Sequence, residues 1–266
     1  MFRYTTTQEI LEEAKENGLH LPMGEDLSPL REPVKVQGVT IPNRVAIQPM
    51  EGCDGTADGK PGELTLRRYE KFARSGAGLI WEEAAAVWEE GRANPRQLWI
   101  REENVEDFRQ MNEKIREISM KENGFAPVLI LQATHSGRYS KPHGVPEPLI
   151  AYNNPLFEKD APIPPERIVS DDYLHRLVER MGEAARLVQK AGFDGVDIKS
   201  CHRYLGSELL SAYTRPGDFG GSFENRTRFL RESIQAAKAA VTPGFLVTSR
   251  LNVYDGFPYP YGFGVS

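Results

Sequence analysis

Residues 192–230 read GFDGVDIKSCHRYLGSELLSAYTRPGDFGGSFENRTRFL. Gly192 suits the left-handed residue that closes a helix. Residues 196–198, Val-Asp-Ile, form a short buried-strand pattern, and Lys199, Cys201, His202 and Tyr204 follow directly. In a βα unit, the C-terminal end of a parallel strand is where sites collect. Lys199 and His202 lie three apart and Tyr204 two further on. Where a strand passes into a loop or helical turn, that spacing points all three into one cleft. The plainer reading is a strand end with three solvated polar residues. The second half weighs against it. Gly220-Gly221-Ser222 makes a tight turn and a helix cap, and Asn225 and Arg226 are oddly polar for a helix running into Phe229, Leu230 and Ile234.

Outward from this stretch, strand and helix patterns alternate. Residues 6–17 predict a short amphipathic helix, with Thr6 and Glu9 at capping-box spacing and Gly18 as a stop. Residues 34–41 predict a hairpin with a glycine turn. Strands are expected at 43–50, 78–84, 127–133, 196–198 and 245–251. The third is an almost continuous apolar run, as in a parallel strand covered on both faces. Helices are expected at 64–75, at 102–121, from a cap at Ser170 or Asp171 to near Ala191, and after Glu224. The proline-rich stretch 135–169 carries few such patterns, and loops of that length are usually lids or binding segments.

Five βα alternations place the chain in the α/β class with a parallel sheet. A doubly wound sheet would show GxGxxG after its first strand; the glycine-bearing loop 51–62 has none opening a helix. A TIM (β/α)8-barrel type fits better, with polar residues at each strand's C-terminal end. Only residues 252–266 follow the fifth strand, whereas three more βα units need roughly 90 residues at ~30 each. The expectation is a barrel truncated after strand five. Residues 1–30 would be a helical extension and 31–266 a partial barrel domain. A truncated chain, a gene fragment and half of a split protein all fit.

Composition narrows the function classes. The 266 residues carry a net charge of −5 with no basic run, which argues against nucleic acid as a main partner. No apolar stretch approaches the ~20 residues of a bilayer span, and the N-terminus lacks an apolar signal core, so no membrane is expected and the cytoplasm is the default. Two cysteines, Cys53 and Cys201, make neither a disulfide framework nor a metal cluster, and no metal is expected.

The strings FDGVDIK..H.YL and R..DFGGS.ENR.RF, at this spacing, resemble the old yellow enzyme family of FMN-dependent ene-reductases. The resemblance runs from about residue 30 to 255. It implies a flavoprotein oxidoreductase that passes hydride from NADH or NADPH through FMN to an activated C=C bond of a small molecule. Flavin carries the redox step and protein groups orient and tune it. The resemblance places Pro49 and Met50 along the isoalloxazine ring, Glu51 near its C4 carbonyl and N5, Ala84 at its C4 edge, Gln132 on its pyrimidine edge, and Arg250 near N1 and the C2 carbonyl. Lys199 and His202 would donate to the oxygen of the substrate's activating group, and Tyr204 would protonate the α-carbon. His135 and Arg138, in QATHSGR, are read first as structuring their loop.

Three residues depart from the family pattern. Glu51 replaces Thr or Cys, and a carboxylate there would disfavour anionic reduced flavin unless it is protonated or turned away. Lys199 replaces His; read alone, it suggests a carboxylate-bearing or enolate-like substrate. Arg203 replaces a glycine next to Tyr204. The family's flavin phosphate is held after strands seven and eight, so the 266 residues alone would bind FMN weakly. The rival reading is a non-catalytic fragment or partner subunit lacking that phosphate site, and a third is another flavin barrel. A homo-oligomer or a missing C-terminal part would be its protein partner.

Overall fold

The computed structural model describes residues 3–159 and 161–265. Helix α1 (Thr7–Glu16) has Thr6 at its N-cap. The Thr6 hydroxyl accepts from Glu9 N–H while the Glu9 carboxylate reaches back, the reciprocal capping that the spacing predicts. The hairpin follows as β1 (Val34–Val36) and β2 (Val39–Ile41), antiparallel.

Five strands then lie side by side in chain order, all parallel: β3 (Ala46–Ile47), β4 (Leu79–Ala86), β5 (Val128–Thr134), β6 (Gly195–Ile198) and β7 (Leu246–Thr248). The crossovers are α2 (Glu63–Ala73), α3 (Val105–Asn123) and α4 (Asp171–Lys190), then α5 (Leu205–Leu210), α6 (Phe223–Arg226) and α7 (Arg228–Ala240) between β6 and β7. This is an arc of a (β/α) barrel.

Alternation along the strands separates the arc's two faces. The outer face, with Ile80, Leu129, Leu131, Val196 and Ile198, packs on Phe108, Ile115, Leu177, Met181 and Phe229 of the helices in one continuous core. The inner face begins apolar: Val128, Ile130 and Leu246 meet Leu79 and Trp81, with Val39 and Ile41 of the hairpin packed against them. The hairpin therefore closes the end of the arc where the strands start. Further along, the inner face turns polar.

Several boundaries differ from the expectation. The first strand is only Ala46–Ile47. Asn43 Oδ1 accepts from both Val45 N and Gly78 N, which turns the chain just before it, and Pro49 has no N–H for a ladder just after. Residues 102–104 form a 3₁₀ turn leading into α3. Residues 205–210, unassigned from sequence, form α5, whose six residues are all buried. The helix expected after Glu224 is two pieces: Thr227 Oγ1 bonds the Phe223 carbonyl and marks the break. Ser170, rather than Asp171, caps α4.

Candidate active site

The parallel register sets the site's floor. Ala84 pairs with Gln132, Gln132 with Asp197, and Asp197 with Thr248 in one row across four strands. A bulge between Glu82 and Ala84 makes this row possible, because it lets Glu83 leave the ladder before Ala84 rejoins it opposite Gln132. Glu83 then accepts from Gly52 N at 2.8 Å and pairs with Arg68, which also holds Asp54 at 3.0 Å. The loop after β3 is thereby tied down where Glu51 leaves it. Burial pushes the Glu83 carboxyl up to about 7, against the pull of Gly52 N–H and Arg68.

Asp197 is the hub of the row. Its carboxylate accepts from Gln132 Nε2 at 2.5 Å, Trp81 Nε1 at 3.2 Å and the backbone N–H of Arg250 at 2.6 Å. Burial raises its pKa, and these three bonds oppose the rise. The sequence marked it only as a strand residue. An Asp between Val196 and Ile198 in a buried strand was the available signal, since a carboxylate there needs partners. Gln97 was also missed. It is fully buried, and its amide donates to the Ala84 carbonyl at 3.1 Å while accepting from Ala93 N at 2.6 Å.

Above this row the strand ends converge on a cleft of about 370 Å³. Pro49, Met50 and Glu51 line it from the first strand, Lys199, His202 and Tyr204 from the fourth, and Arg250 from the fifth. Arg250 Nη1 donates to the Pro49 carbonyl at 3.3 Å. Lys199 Nζ donates to Glu51 Oε1 at 2.5 Å and lies 3.7 Å from the centroid of the Tyr204 ring, while Tyr204 Oη donates to Glu51 Oε2 at 3.0 Å. Glu51 thus bridges two of the three residues expected to act on substrate, Lys199 and Tyr204. Burial and the Glu51 charge push the Tyr204 phenol well above its ordinary value. His202 is lowered by partial desolvation and by the Lys199 and Arg250 cations, so it is a neutral donor at pH 7.

The structure brings seven of the nine expected residues to this cleft. Ala84 and Gln132 lie one row deeper, at 0% and 1% exposure. One of the two Gln132 amide N–H groups is given to Asp197, which leaves the second N–H and the amide oxygen.

Arg203 does not crowd the cleft. His202 and Arg203 both have left-handed backbone, at φ 62° and 57°, which for side chains other than glycine costs on the order of 1–3 kcal/mol each. That turn sends the Arg203 guanidinium inward, to Ser211 Oγ at 2.8 Å and Asp255 Oδ2 at 2.9 Å, against the rings of Phe157 and Phe257. The glycine that relatives place here suits the same backbone without the strain. His135 and Arg138 are structural. His135 is buried and bonded to Tyr173 Oη at 2.8 Å, and Arg138 pairs with buried Glu158 and Glu208.

Known proteins share this sequence and fold. The model of the NADH:flavin oxidoreductase / NADH oxidase family matches residues 29–260. An NADPH dehydrogenase of Bacillus pumilus is 35% identical over 210 residues, covering 77% of this chain and 58% of its own length. The chain therefore spans rather more than half the length of such curated relatives. Among solved structures, the old yellow enzyme of Pichia sp. superposes with a TM-score of 0.70 at 27% identity, over 86% of this chain and 61% of that one. Morphinone reductase in complex with tetrahydroNAD gives 0.70 at 26% identity, over 84% and 63%. By the match over most of its length, the chain belongs to the NADH:flavin oxidoreductase / NADH oxidase family.

Proposed function

We propose that this chain carries the flavin-facing and substrate-facing part of an old yellow enzyme-type oxidoreductase that reduces activated C=C bonds. FMN and NAD(P)H are the cofactors with which this family works. The observation that carries the reading is the meeting of Pro49–Glu51, Lys199, His202, Tyr204 and Arg250 in one cleft above the Gln132–Asp197 row.

The donor set fits an isoalloxazine ring. Its pyrimidine side alternates acceptors and a donor, and Gln132 offers an amide oxygen there. Arg250 offers a guanidinium that, among the described residues, has no carboxylate partner, only the Pro49 carbonyl. A fixed cation of that kind stabilises charge that develops on a reduced ring. Pro49 and Met50 would lie along the ring, and the Ala84 backbone, pinned by Gln97, would stand at its edge. Bound FMN would supply the two-electron step, taking hydride from NAD(P)H and giving it to the alkene.

The chain's own residues do the rest. Lys199 and His202 donate hydrogen bonds to the oxygen of the activating group and draw charge onto it. Tyr204 supplies the proton at the α-carbon. Glu51, with its charge matched by Lys199, keeps an unpaired anion away from the ring. On this reading the partners are an activated alkene and the reductant, in the cytoplasm, with residues 1–30 as an extension beside the flavin domain. A second copy or a further protein segment would cover the outer edges of β3 and β7.

Supplied with excess FMN, the protein should bind it and should oxidise NADPH when given an enone. Tyr204→Phe should slow alkene reduction by about 10²–10⁴-fold while leaving oxidation of NADPH by a flavin-directed acceptor dye unchanged. Lys199→Ala should change rate or KM for some enones or enoates. A protein that takes up no added FMN would favour the non-catalytic reading. Full alkene reduction by both variants would overturn the assigned roles.

A further inference from the structure

We infer that Glu51 sets the charge selectivity of the cleft: paired with Lys199, it makes the site admit uncharged carbonyl-type ligands and exclude carboxylates. This rests on the proposed role of the cleft as the substrate site. A lysine at this place, taken alone, points the other way, toward carboxylate-bearing ligands. The pairing reverses that reading.

The argument begins with burial. The Lys199 side chain is 2% exposed and that of Glu51 16%. An ammonium so enclosed is stable only beside a counter-charge, and Glu51 Oε1 at 2.5 Å supplies it. The pair is neutral as a unit, so the cleft has no net attraction for an anion at Lys199. A carboxylate ligand brought to the same Nζ would also stand against the Glu51 carboxylate. With little water between them, that repulsion is weakly screened.

A neutral carbonyl is treated differently. The ammonium has three N–H donors. One goes to Glu51, and the face of the Tyr204 ring at 3.7 Å takes up a second side. A third remains for a carbonyl oxygen, which accepts without adding a charge. His202, neutral, offers a second donor of the same kind. Arg250 is the other cation of the cleft, and in the proposed function it faces the flavin. Glu51 also accepts the Tyr204 hydroxyl at 3.0 Å, so it is a positioning residue for both groups as well as a charge filter.

The test compares equilibrium binding of benzoate and benzamide, a matched pair in shape, to the purified chain by calorimetry. Glu51→Gln should tighten benzoate by roughly tenfold or more, as expected for a partly buried charge released from its partner, and leave benzamide within about threefold. The double variant Glu51→Gln/Lys199→Met removes the pair as a unit and leaves no unpaired buried charge. It keeps the test decisive if the single variant fails to fold, and it should bind benzoate within about threefold of the wild type. Two results would overturn the inference: a folded Glu51→Gln protein with unchanged benzoate affinity, or a double variant that binds benzoate about tenfold or more weaker than the wild type. The second would mean that Lys199 attracts carboxylates despite Glu51. Arg250 is the same in all three proteins, so its pull on benzoate cancels in the comparison with or without flavin, and a failure here is separable from a failure to take up FMN, which bears on the proposed function alone.

Discussion

Lys199 and Glu51 are 148 positions apart in sequence and 2.5 Å apart in space. Each was visible in the sequence as a departure from the family pattern, and neither explained itself there. Their pairing could not be read, because it arises only when the first and fourth strands are brought to opposite walls of one cleft. The positions of Lys199, His202 and Tyr204 at a strand end were legible, since a short apolar run followed by polar residues marks such an end. Asp197 was not, because one carboxylate in a buried strand says that partners exist without saying which. Its weight can be measured. Asp197→Ala strands three donors, one buried on Gln132 and two half-buried, on Trp81 and the Arg250 backbone. At about 1–3 kcal/mol for each unsatisfied group, discounted for water entering the gap, the loss should be at least about 2 kcal/mol. Urea unfolding would show it as a lower midpoint; an unchanged midpoint would mean that the row is not held by this carboxylate.

At the scale of elements, the helices and strands with strong periodicity lie close to where their patterns place them. α3, α4 and β5 carry long apolar repeats and depart by only a few residues. The misses share a cause. β3 is cut short by a side-chain turn at Asn43, α5 hides in a stretch rich in reactive residues, and α6 and α7 are divided by one threonine bond. None of these is a matter of period. Tertiary contacts leave a signal of another kind at Gly182 of α4, where an added Cβ would lie 3.1 Å from the Ala236 carbonyl of α7. The two helices approach closely there because glycine permits it. Gly182→Leu should force them apart and cost about 1–3 kcal/mol, seen as a drop in Tm, whereas Gly182→Ala should cost less. Equal effects of the two would mean that the helices have room to spare.

Across the whole molecule, five parallel strands in chain order present one apolar face to the helices and one mixed face inward. The strand count, the parallel order and the polar strand ends all follow from the alternating pattern, which is why the fold was the most legible part. The division of the inner face was not legible. It depends on the register that aligns Ala84, Gln132, Asp197 and Thr248, and on a bulge at Glu83 that no periodicity marks. No helix among the described residues is long and apolar enough to cross a membrane. The account's central claim is that this inner face, at its polar end, holds a planar flavin against Arg250. Titrating FMN with the protein and following the quenching of flavin fluorescence tests it most directly. The account predicts saturable, one-to-one quenching that Arg250→Ala weakens by about tenfold or more, as loss of a partly buried charge contact should. Quenching that never saturates, or that Arg250→Ala leaves unchanged, would contradict it.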